Sequence, residues 1–348
     1  MARLHIDAAA VVENWRYFQR LVLNTETAAV VKADAYGLGA EQISTALAQA
    51  GARTFFTMTC NEALAVRSTL GIGPQIFALN GPTGEDASAM AAANVTPVLN
   101  SLAQIAMWGA RGPAALHIDT GMNRLGLRLD DLAEAAQALA GADIALIMSH
   151  LACSADVRHP KNGQQRTRFL EAATLFPGVP RSLAATAGAL IGADYHCDMV
   201  RIGVGLYGSG ALDQDNPKLA CAATIDAPIL QVRDVEPGES FGYGATFTAT
   251  KKLRTATVAL GYADGYLRGL GGRGYGVLAG VKCPILGRVS MDLTIIDVSG
   301  SAQARDGDMV EFLGPHVPLD EVAALAGTAA YEILTTFAGT VGRTGVRG

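Results

Sequence analysis

The sequence predicts an α/β chain with an N-terminal (β/α)8 barrel of the TIM type and a second, mostly β, C-terminal domain. Three observations support this fold class. Eight apolar runs alternate with Ala- and Leu-rich stretches through the first 216 residues. Most runs are continuously apolar, which is typical of parallel strands covered by helices on both faces. Beyond Pro217 the composition changes to Thr-, Val- and Ile-rich strands broken by glycine turns.

The chain opens with a short predicted strand at Leu4–Ile6. A helix follows, capped by Asp7, with Val11, Trp15 and Phe18 spaced to share one face. We expect residues 1–10 to pack with the C-terminal domain.

Residues 11–216 form the predicted barrel. Helices such as Glu41–Ala50 and Asp131–Ala140 separate its strands. Eight strand and helix units fit a closed barrel, whose usual size is about 250 residues, and a doubly wound open sheet is the main alternative. The predicted strands are Ala28–Val31, Thr54–Met58, Gln75–Leu79, Thr96–Leu99, Ala114–Ile118, Ile144–Met148, Ser182–Ala185 and Met199–Ile202.

Residues 217–348 form the predicted β-rich domain. We expect it to end in a helix near Leu319–Ala326 and a glycine-rich tail, and we assign no role to residues 339–348. Its predicted strands are Ala222–Val232, Leu253–Leu260, Gly276–Leu278, Leu293–Val298 and Met309–Leu313.

Composition excludes several function classes. The 27 Lys and Arg against 32 Asp and Glu give a net charge of −5, so we expect neither a nucleic-acid nor a membrane partner. The five cysteines are scattered without a C-x-x-C pair, and no metal-ligand cluster is evident, which predicts reduced thiols and no bound metal. Because His5 and Asp7 interrupt the N-terminus where a signal peptide is apolar, we expect a cytoplasmic protein.

Polar residues at predicted strand ends are the first candidates for chemistry, since barrel sites collect there. Lys32 follows the first barrel strand, where desolvation and neighbouring cations would free its amine as a nucleophile. Arg124 follows the fifth strand, and its planar guanidinium offers paired N–H donors to a carboxylate or phenolate oxygen. His150 ends the sixth strand. Spacing alone leaves open that Lys32 is a solvated lysine and His150 a structural histidine.

The eighth strand leads into a glycine-rich segment, Gly203–Gly208, which is suited to cradling a phosphate. The segment also matches G-x-G-x-x-G, the pattern of a dinucleotide-binding turn. That alternative requires a helix to begin inside the motif, whereas residues 209–218 contain Asp213, Asp215, Asn216 and Pro217 and are predicted to form a loop.

The β domain contains two motifs rich in Tyr, Gly and charged residues. Together with the motifs at the barrel strand ends, they resemble those of bacterial alanine racemases, in the family's order and over nearly the whole chain. The family depends on pyridoxal 5′-phosphate (PLP), has a barrel followed by a β domain, and acts as a head-to-tail homodimer. The segments that carry the resemblance are Val31–Gly39, Asp119–Gly126, Met199–Arg201, Gly261–Tyr266 and Gly287–Asp292.

The resemblance implies interconversion of L-alanine and D-alanine, supplying D-alanine for peptidoglycan. Lys32 would hold PLP as an aldimine and act as one catalytic base, and Tyr243 of the partner subunit would be the other. Two bases are needed because a racemase removes a proton from one face of a carbon and returns it to the other.

The remaining implied roles concern binding. Arg201 would contact the pyridine nitrogen and disfavour its protonation, His150 would stack on the ring, and Arg124 with the Met291 amide would hold the substrate carboxylate. The phosphate would be bound by Tyr36, Thr186, Tyr331 and the amides of Gly203 and Val204. Tyr262, Arg268 and Arg288 match positions that line the substrate's access route.

One departure from the family concerns Arg124. Many members carry a carbamylated lysine two residues before the Asp-Thr-Gly segment, where its charge orients the arginine; here the position is His117. A neutral histidine or a bound anion such as chloride must then do that work. The phosphate segment also reads Ala185-Thr186 where many relatives have Asn-Ser, which keeps a hydroxyl and loses an amide.

Two other functions fit the same motifs. One is a PLP racemase of broader or serine-preferring specificity. The other is a non-catalytic PLP-binding barrel protein, against which Tyr243 and the β domain argue because such proteins lack a second domain.

Overall fold

The barrel is the larger part of the structure, a computed structural model that describes residues 1–338 and 342–347, with side chains through residue 337. Strand β1 (Arg3–Asp7) precedes it. Each barrel strand pairs in parallel with the next, β9 pairs with β2, and a bridge between Ala185 and Arg201 nearly closes the ring. The barrel strands are β2 (Glu26–Val30), β3 (Thr54–Thr57), β4 (Gln75–Ala78), β5 (Thr96–Leu99), β6 (Ala114–His117), β7 (Ile144–Met148), β8 (Arg181–Ser182) and β9 (Met199–Ile202).

Helices cover the barrel as the apolar periodicity predicts. In α1 the Asp7 carboxylate caps the helix by accepting a hydrogen bond from the Ala10 amide at 2.9 Å, while Val11 and Phe18 are completely buried. No α-helix begins within Gly203–Gly208 or in residues 209–222, which rejects the dinucleotide-binding alternative. The barrel helices are α1 (Ala8–Val22), α2 (Lys32–Tyr36), α3 (Ala40–Gln49), α4 (Cys60–Leu70), α5 (Asp86–Ala92), α6 (Leu102–Trp108), α7 (Leu132–Ala138), α8 (Pro160–Ala173) and α9 (Thr186–Ile191).

The C-terminal part is an antiparallel sheet centred on one long strand, β10, which pairs with β1, β13 and β17. The predicted fold class is therefore confirmed. Its elements are β10 (Ala223–Val235), β11 (Ser240–Phe241), β12 (Phe247–Thr248), β13 (Leu253–Val258), β14 (Tyr275–Leu278), β15 (Val281–Pro284), β16 (Thr294–Asp297), β17 (Met309–Leu313), α10 (Leu319–Ala326), α11 (Ala330–Ala338) and β18 (Gly342–Arg347).

The first strand lies in the sheet of the C-terminal part. Leu4 stands opposite Ile225 in the β1–β10 ladder, and Leu4 and Ile6 are buried. Strand β1 also pairs in parallel with β18. The domain boundaries at residues 10 and 216 remain predictions.

The chain end differs from the expected glycine-rich tail. Helix α11 was not predicted; it buries Ile333, Leu334 and Phe337 in the core, and this tertiary packing compensates for the β-branched Thr335 and Thr336 in a short helix. Residues 339–341 and 348 of the tail lie outside the described residues. In the described part, no helix is long and apolar enough to span a membrane, and no three acidic, Cys or His side chains group as metal ligands do.

Candidate active site

A cavity of about 530 Å³ opens at the carboxyl ends of the barrel strands. Functional groups of this architecture collect at that end. All nine residues expected to bind the cofactor line it: Lys32, Tyr36, Arg124, His150, Thr186, Arg201, Gly203, Val204 and Tyr331. Eight of them come from the barrel, and the ninth, Tyr331, comes from helix α11, so the fold brings together positions up to 299 residues apart.

An unusual backbone turn directly follows Lys32 and fixes its position. The four residues that follow it, from Ala33 to Tyr36, all have left-handed backbone angles with φ between 52° and 57°. That conformation costs about 1 to 2 kcal/mol for each L-residue. It is held in place by backbone hydrogen bonds such as the one from Gly37 to the Ala33 carbonyl at 2.8 Å.

Glu62 clamps the start of this turn. One carboxylate oxygen accepts a hydrogen bond from the Ala33 amide at 3.2 Å, and the other accepts one from the Met58 amide at 2.7 Å. The carboxylate thus joins the loop after β2 to the loop after β3. Its charge also raises the pKa of Lys32, against a larger lowering caused by burial and by the Arg124 cation. The net result is a pKa of Lys32 below 10.5, which favours a reactive neutral amine.

Arg201 is the most rigidly held cation of the cavity. Its Nη1 donates to the carbonyl and hydroxyl of Ser182 at 2.9 and 2.6 Å, and its Nη2 donates to the Ser149 carbonyl at 2.7 Å. Burial lowers the pKa of Arg201 to about 10, so the group stays charged at neutral pH. No described residue accepts a hydrogen bond from Nε–H, which is left for a ligand.

His150 is neutral in this environment. Burial and the Arg201 cation hold the pKa of His150 well below 6.5. Its Nδ1 lies 3.4 Å from Nη2 of Arg201, a contact in which only the arginine can donate at neutral pH. The ring therefore presents an uncharged face to the cavity.

The phosphate-sized end of the cavity is built around Tyr36. Its ring packs against those of Tyr207 and Tyr331, with centroids 4.8 and 5.9 Å away. Burial raises the pKa of Tyr36, so its hydroxyl remains a hydrogen-bond donor. A Cβ on Gly203 would lie only 2.4 Å from that hydroxyl, so any other residue here would have to displace it. Thr186 also lies at this end, where its hydroxyl accepts the Gly203 amide at 3.1 Å.

The amides expected to bind phosphate differ in their present partners. The Gly203 amide is engaged by Thr186, as is the Gly205 amide at 3.2 Å. Among the described residues, the Val204 amide has no acceptor. Val204 and the Tyr36 hydroxyl are therefore the donors most available to an anion.

Arg124 lies on an exposed loop beyond β6. The loop is shaped by Asp119, whose carboxylate accepts hydrogen bonds from the amides of Gly121, Met122 and Asn123 at 2.8 to 2.9 Å. No described residue hydrogen-bonds to the Arg124 guanidinium, so its donors are free for a ligand.

Five predicted site residues do not line this cavity. We call them the Tyr243 cluster: Tyr243, Tyr262, Arg268, Arg288 and Met291. Their loops adjoin one another in the C-terminal part, as shown by the Ala263 amide donating to the Met291 carbonyl at 2.8 Å and by Arg288 lying beside Gly244. The cluster is open to solvent, with Tyr243 71% and Met291 54% exposed.

Sequence reasoning missed the residues that hold the site residues. Glu62 contacts the turn after Lys32, and Ser182 contacts Arg201. Tyr207 packs against Tyr36, and Asn100 contacts His117. Their spacing carries no motif, since each acts on a residue distant in the chain. Only Glu62 gave a usable signal, an acid in the first turn of a helix after a barrel strand.

The geometry defines the class of protein. Lys32, Arg124 and Arg201 converge on one cavity, and no carboxylate hydrogen-bonds to either arginine among the described residues, so the site fits an anionic ligand. A reactive amine next to a phosphate cradle suits a cofactor that carries both an aldehyde and a phosphate. The chain is a PLP-dependent enzyme built on a (β/α)8 barrel.

Comparisons with known proteins identify the family. Residues 6–210 match the family model of the alanine racemase N-terminal domain and residues 222–344 that of the C-terminal domain. An alanine racemase of Cereibacter sphaeroides is 44% identical over 96% of this chain and 95% of its own length. The chain therefore belongs to the alanine racemase family, and it is a PLP-dependent isomerase.

Solved structures agree with this assignment. Alanine racemase from Bartonella henselae with covalently bound pyridoxal phosphate superposes with a TM-score of 0.92 at 35% identity, covering 99% of both chains. The biosynthetic alanine racemase from Pseudomonas aeruginosa gives 0.93 at 32% identity, covering 99% of this chain and 98% of its own.

Proposed function

We propose that the protein interconverts L-alanine and D-alanine by a two-base mechanism in a homodimer whose active sites are shared between chains, and that it supplies D-alanine for peptidoglycan in the cytoplasm. The observation that carries the proposal is the separation of the predicted site residues into two groups. Lys32 lies in the barrel cavity, whereas Tyr243 is solvent-exposed in the other part of the same chain.

The cavity residues account for binding and for one proton transfer. PLP bound there withdraws electrons from the α-carbon of an attached amino acid and makes its proton acidic. The phosphate would be held by Tyr36, Thr186, Tyr331 and the Gly203 and Val204 amides, and His150 would stack on the ring.

The charged residues divide the remaining work. Arg201 would donate its Nε–H to the pyridine nitrogen of bound PLP, where its fixed charge would disfavour protonation. Arg124 holds the substrate carboxylate. Lys32, whose pKa is lowered by burial, takes or returns the α-proton on one face of the carbon.

The second face requires a group that the barrel cavity of one chain does not supply. Tyr243 of the partner subunit fills this role, with the Met291 amide beside it on the carboxylate. Tyr262, Arg268 and Arg288 belong to the same exposed cluster and would line the access route once two chains meet. The shared site explains why a catalytic tyrosine is left exposed in a single chain.

The test is racemisation of L-alanine, with D-alanine detected by a coupled D-amino-acid oxidase, for the wild type and two variants. Lys32→Ala and Tyr243→Phe should each lose nearly all turnover, whereas Tyr195→Phe, outside the Tyr243 cluster, should retain it. L-serine and L-lysine measured in parallel decide between an alanine racemase and a broader one. Binding of PLP without racemisation of any amino acid would support the non-catalytic alternative.

Mixing the two inactive variants tests the shared site. Co-expressed Lys32→Ala and Tyr243→Phe chains form mixed dimers in which one of the two sites contains both wild-type residues. With random pairing, about a quarter of wild-type activity should return. If both bases came from one chain, the mixture would stay inactive.

A further inference from the structure

Helix α1 packs against the glycine-rich segment that follows β9. Two of its residues, Asn14 and Phe18, are buried, with 1% and 0% exposed, and residues four positions apart share one face of a helix. Asn14 donates a hydrogen bond to the Leu206 carbonyl, and Phe18 packs against Gly205, where a Cβ would come within 2.6 Å of the phenylalanine ring. Helix α1 therefore supports this segment from outside the active-site cavity.

The Asn14 side chain uses its whole amide to join two distant parts of the chain. Its Nδ2 donates to the carbonyls of Leu206 at 3.0 Å and Ala220 at 2.9 Å, and its Oδ1 accepts a hydrogen bond from the Ala220 amide at 2.7 Å. The reverse orientation would place an oxygen against two carbonyl oxygens, so the amide has one orientation. Ala220 lies just before β10. Asn14 therefore fixes the segment after β9 relative to the start of the C-terminal sheet.

The Leu206 carbonyl belongs to a short 3-10 turn, Val204–Tyr207. The Leu206 amide donates to the Gly203 carbonyl at 2.9 Å, so Leu206 is held on both sides, by Gly203 and by Asn14. The Val204 amide has no acceptor among the described residues. Because each residue has only two soft dihedral angles, little freedom remains between the fixed Leu206 and Val204, and the direction of the Val204 N–H bond is set.

We infer that Asn14 is a positioning residue for the cofactor, which holds the Leu206 carbonyl and so orients the Val204 N–H toward the phosphate. The inference rests on the phosphate-binding role proposed above for the Gly203 and Val204 amides. It also gives the C-terminal sheet a part in cofactor binding, because the same side chain holds the start of that sheet through Ala220.

Binding of PLP and of pyridoxal to the cofactor-free protein separates a positioning role from a structural one. Pyridoxal offers the same aldehyde to Lys32 but has no phosphate, and absorbance titration gives the affinity of each compound. Asn14→Ala should lower the preference for PLP over pyridoxal about tenfold, the usual loss for a hydrogen bond to a charged group. A merely structural role would weaken both compounds equally and leave the preference unchanged.

Asn162→Ala is the matched control. Asn162 is also 1% exposed, and its Nδ2 donates to the carbonyls of Cys153 and Asp156 at 3.3 and 2.9 Å, neither of which belongs to the segment after β9. Its loss should destabilise the protein, as the loss of Asn14 does, and leave the preference for PLP unchanged. An equal fall of that preference in both variants would overturn the inference.

Asn14→Ser is a milder variant in case Asn14→Ala does not fold. A small polar side chain leaves room for water to pair the freed backbone groups. A serine inside a helix donates to the carbonyl of the preceding turn, so it does not replace the link to Leu206. The preference for PLP should therefore fall in this variant as well, and a preference equal to that of the wild type would contradict the positioning role.

The wild type separates this inference from the proposed function. If the wild-type protein binds pyridoxal as tightly as PLP, the proposed phosphate site is wrong and the inference falls with it. If the wild type prefers PLP and folded Asn14→Ala keeps that preference in full, the inference alone is overturned. Neither result depends on whether the protein racemises alanine.

Discussion

Gly203→Ala should weaken PLP binding without unfolding the protein. A Cβ at this position would lie 2.4 Å from the Tyr36 hydroxyl oxygen and 3.3 Å from its Cζ. Gly203 has φ −108° and ψ −98°, outside the main allowed regions for L-residues, so alanine adds backbone strain to this clash. The hydroxyl must move by about 1 Å to restore ordinary contact.

The magnitude follows from the packing of Tyr36, which is 5% exposed and enclosed by two other tyrosine rings. Inserting a methyl group into such packing costs about 1 to 3 kcal/mol. A displaced hydroxyl also loses a hydrogen bond to a charged phosphate, a loss of about 1.5 to 3 kcal/mol. We therefore expect PLP affinity to fall about tenfold to hundredfold.

Titration of PLP into the cofactor-free protein, followed by absorbance, measures this effect. Gly73→Ala is the matched control, because a Cβ there meets no atom within 4 Å. In a Tyr36→Phe background the clashing oxygen is gone, so Gly203→Ala should have a much smaller additional effect. Equal losses in both backgrounds, or unchanged affinity in folded Gly203→Ala, would refute the proposed cradle.

Three further predictions concern charge. Glu62→Gln should lower the pKa of Lys32, because the Glu62 charge raises it; the pH dependence of Lys32 acylation in cofactor-free protein measures this, and an unchanged pKa would contradict it. Ser182→Ala leaves a buried Arg201 donor unpaired, so thermal unfolding should show a loss of about 1 to 3 kcal/mol and kcat should fall. His117 binds a proton more weakly when folded, with a pKa of about 4, so its stabilisation is present above pH 6.5 and is lost as the pH falls toward 4. Urea unfolding between pH 7.5 and 5 should show about 2 kcal/mol less acid destabilisation in His117→Gln.

The barrel could be predicted from the sequence because its strands are local, continuous apolar runs. Six of the eight predicted barrel strands, such as Ile144–Met148, agree with the structure to within one residue, since a strand buried on both faces needs apolar side chains at every position. The short edge strand β15 was missed because its exposed Lys282 breaks that pattern. Helix α11 was missed because its stability comes from packing.

Some residues of the candidate site could likewise be located from the sequence, and others could not. Lys32, His150 and Arg201 could be located because each stands at or beside the end of a predicted strand, and barrel topology alone gathers strand ends. The clamp by Glu62 and the Asn100 side chain that contacts His117 could not be located, since they join residues from separate loops. Their positions depend on how those loops pack.

The sequence by itself determined the barrel and the β domain and predicted which groups react, because hydrophobic periodicity and short motifs are properties of neighbouring residues. Only the tertiary structure decided how those groups are charged and aimed. The pKa of Lys32, the hydrogen-bond partner of His117 and the exposure of Tyr243 depend on burial and on contacts between distant segments. Local sequence does not encode the distances on which electrostatic energies depend.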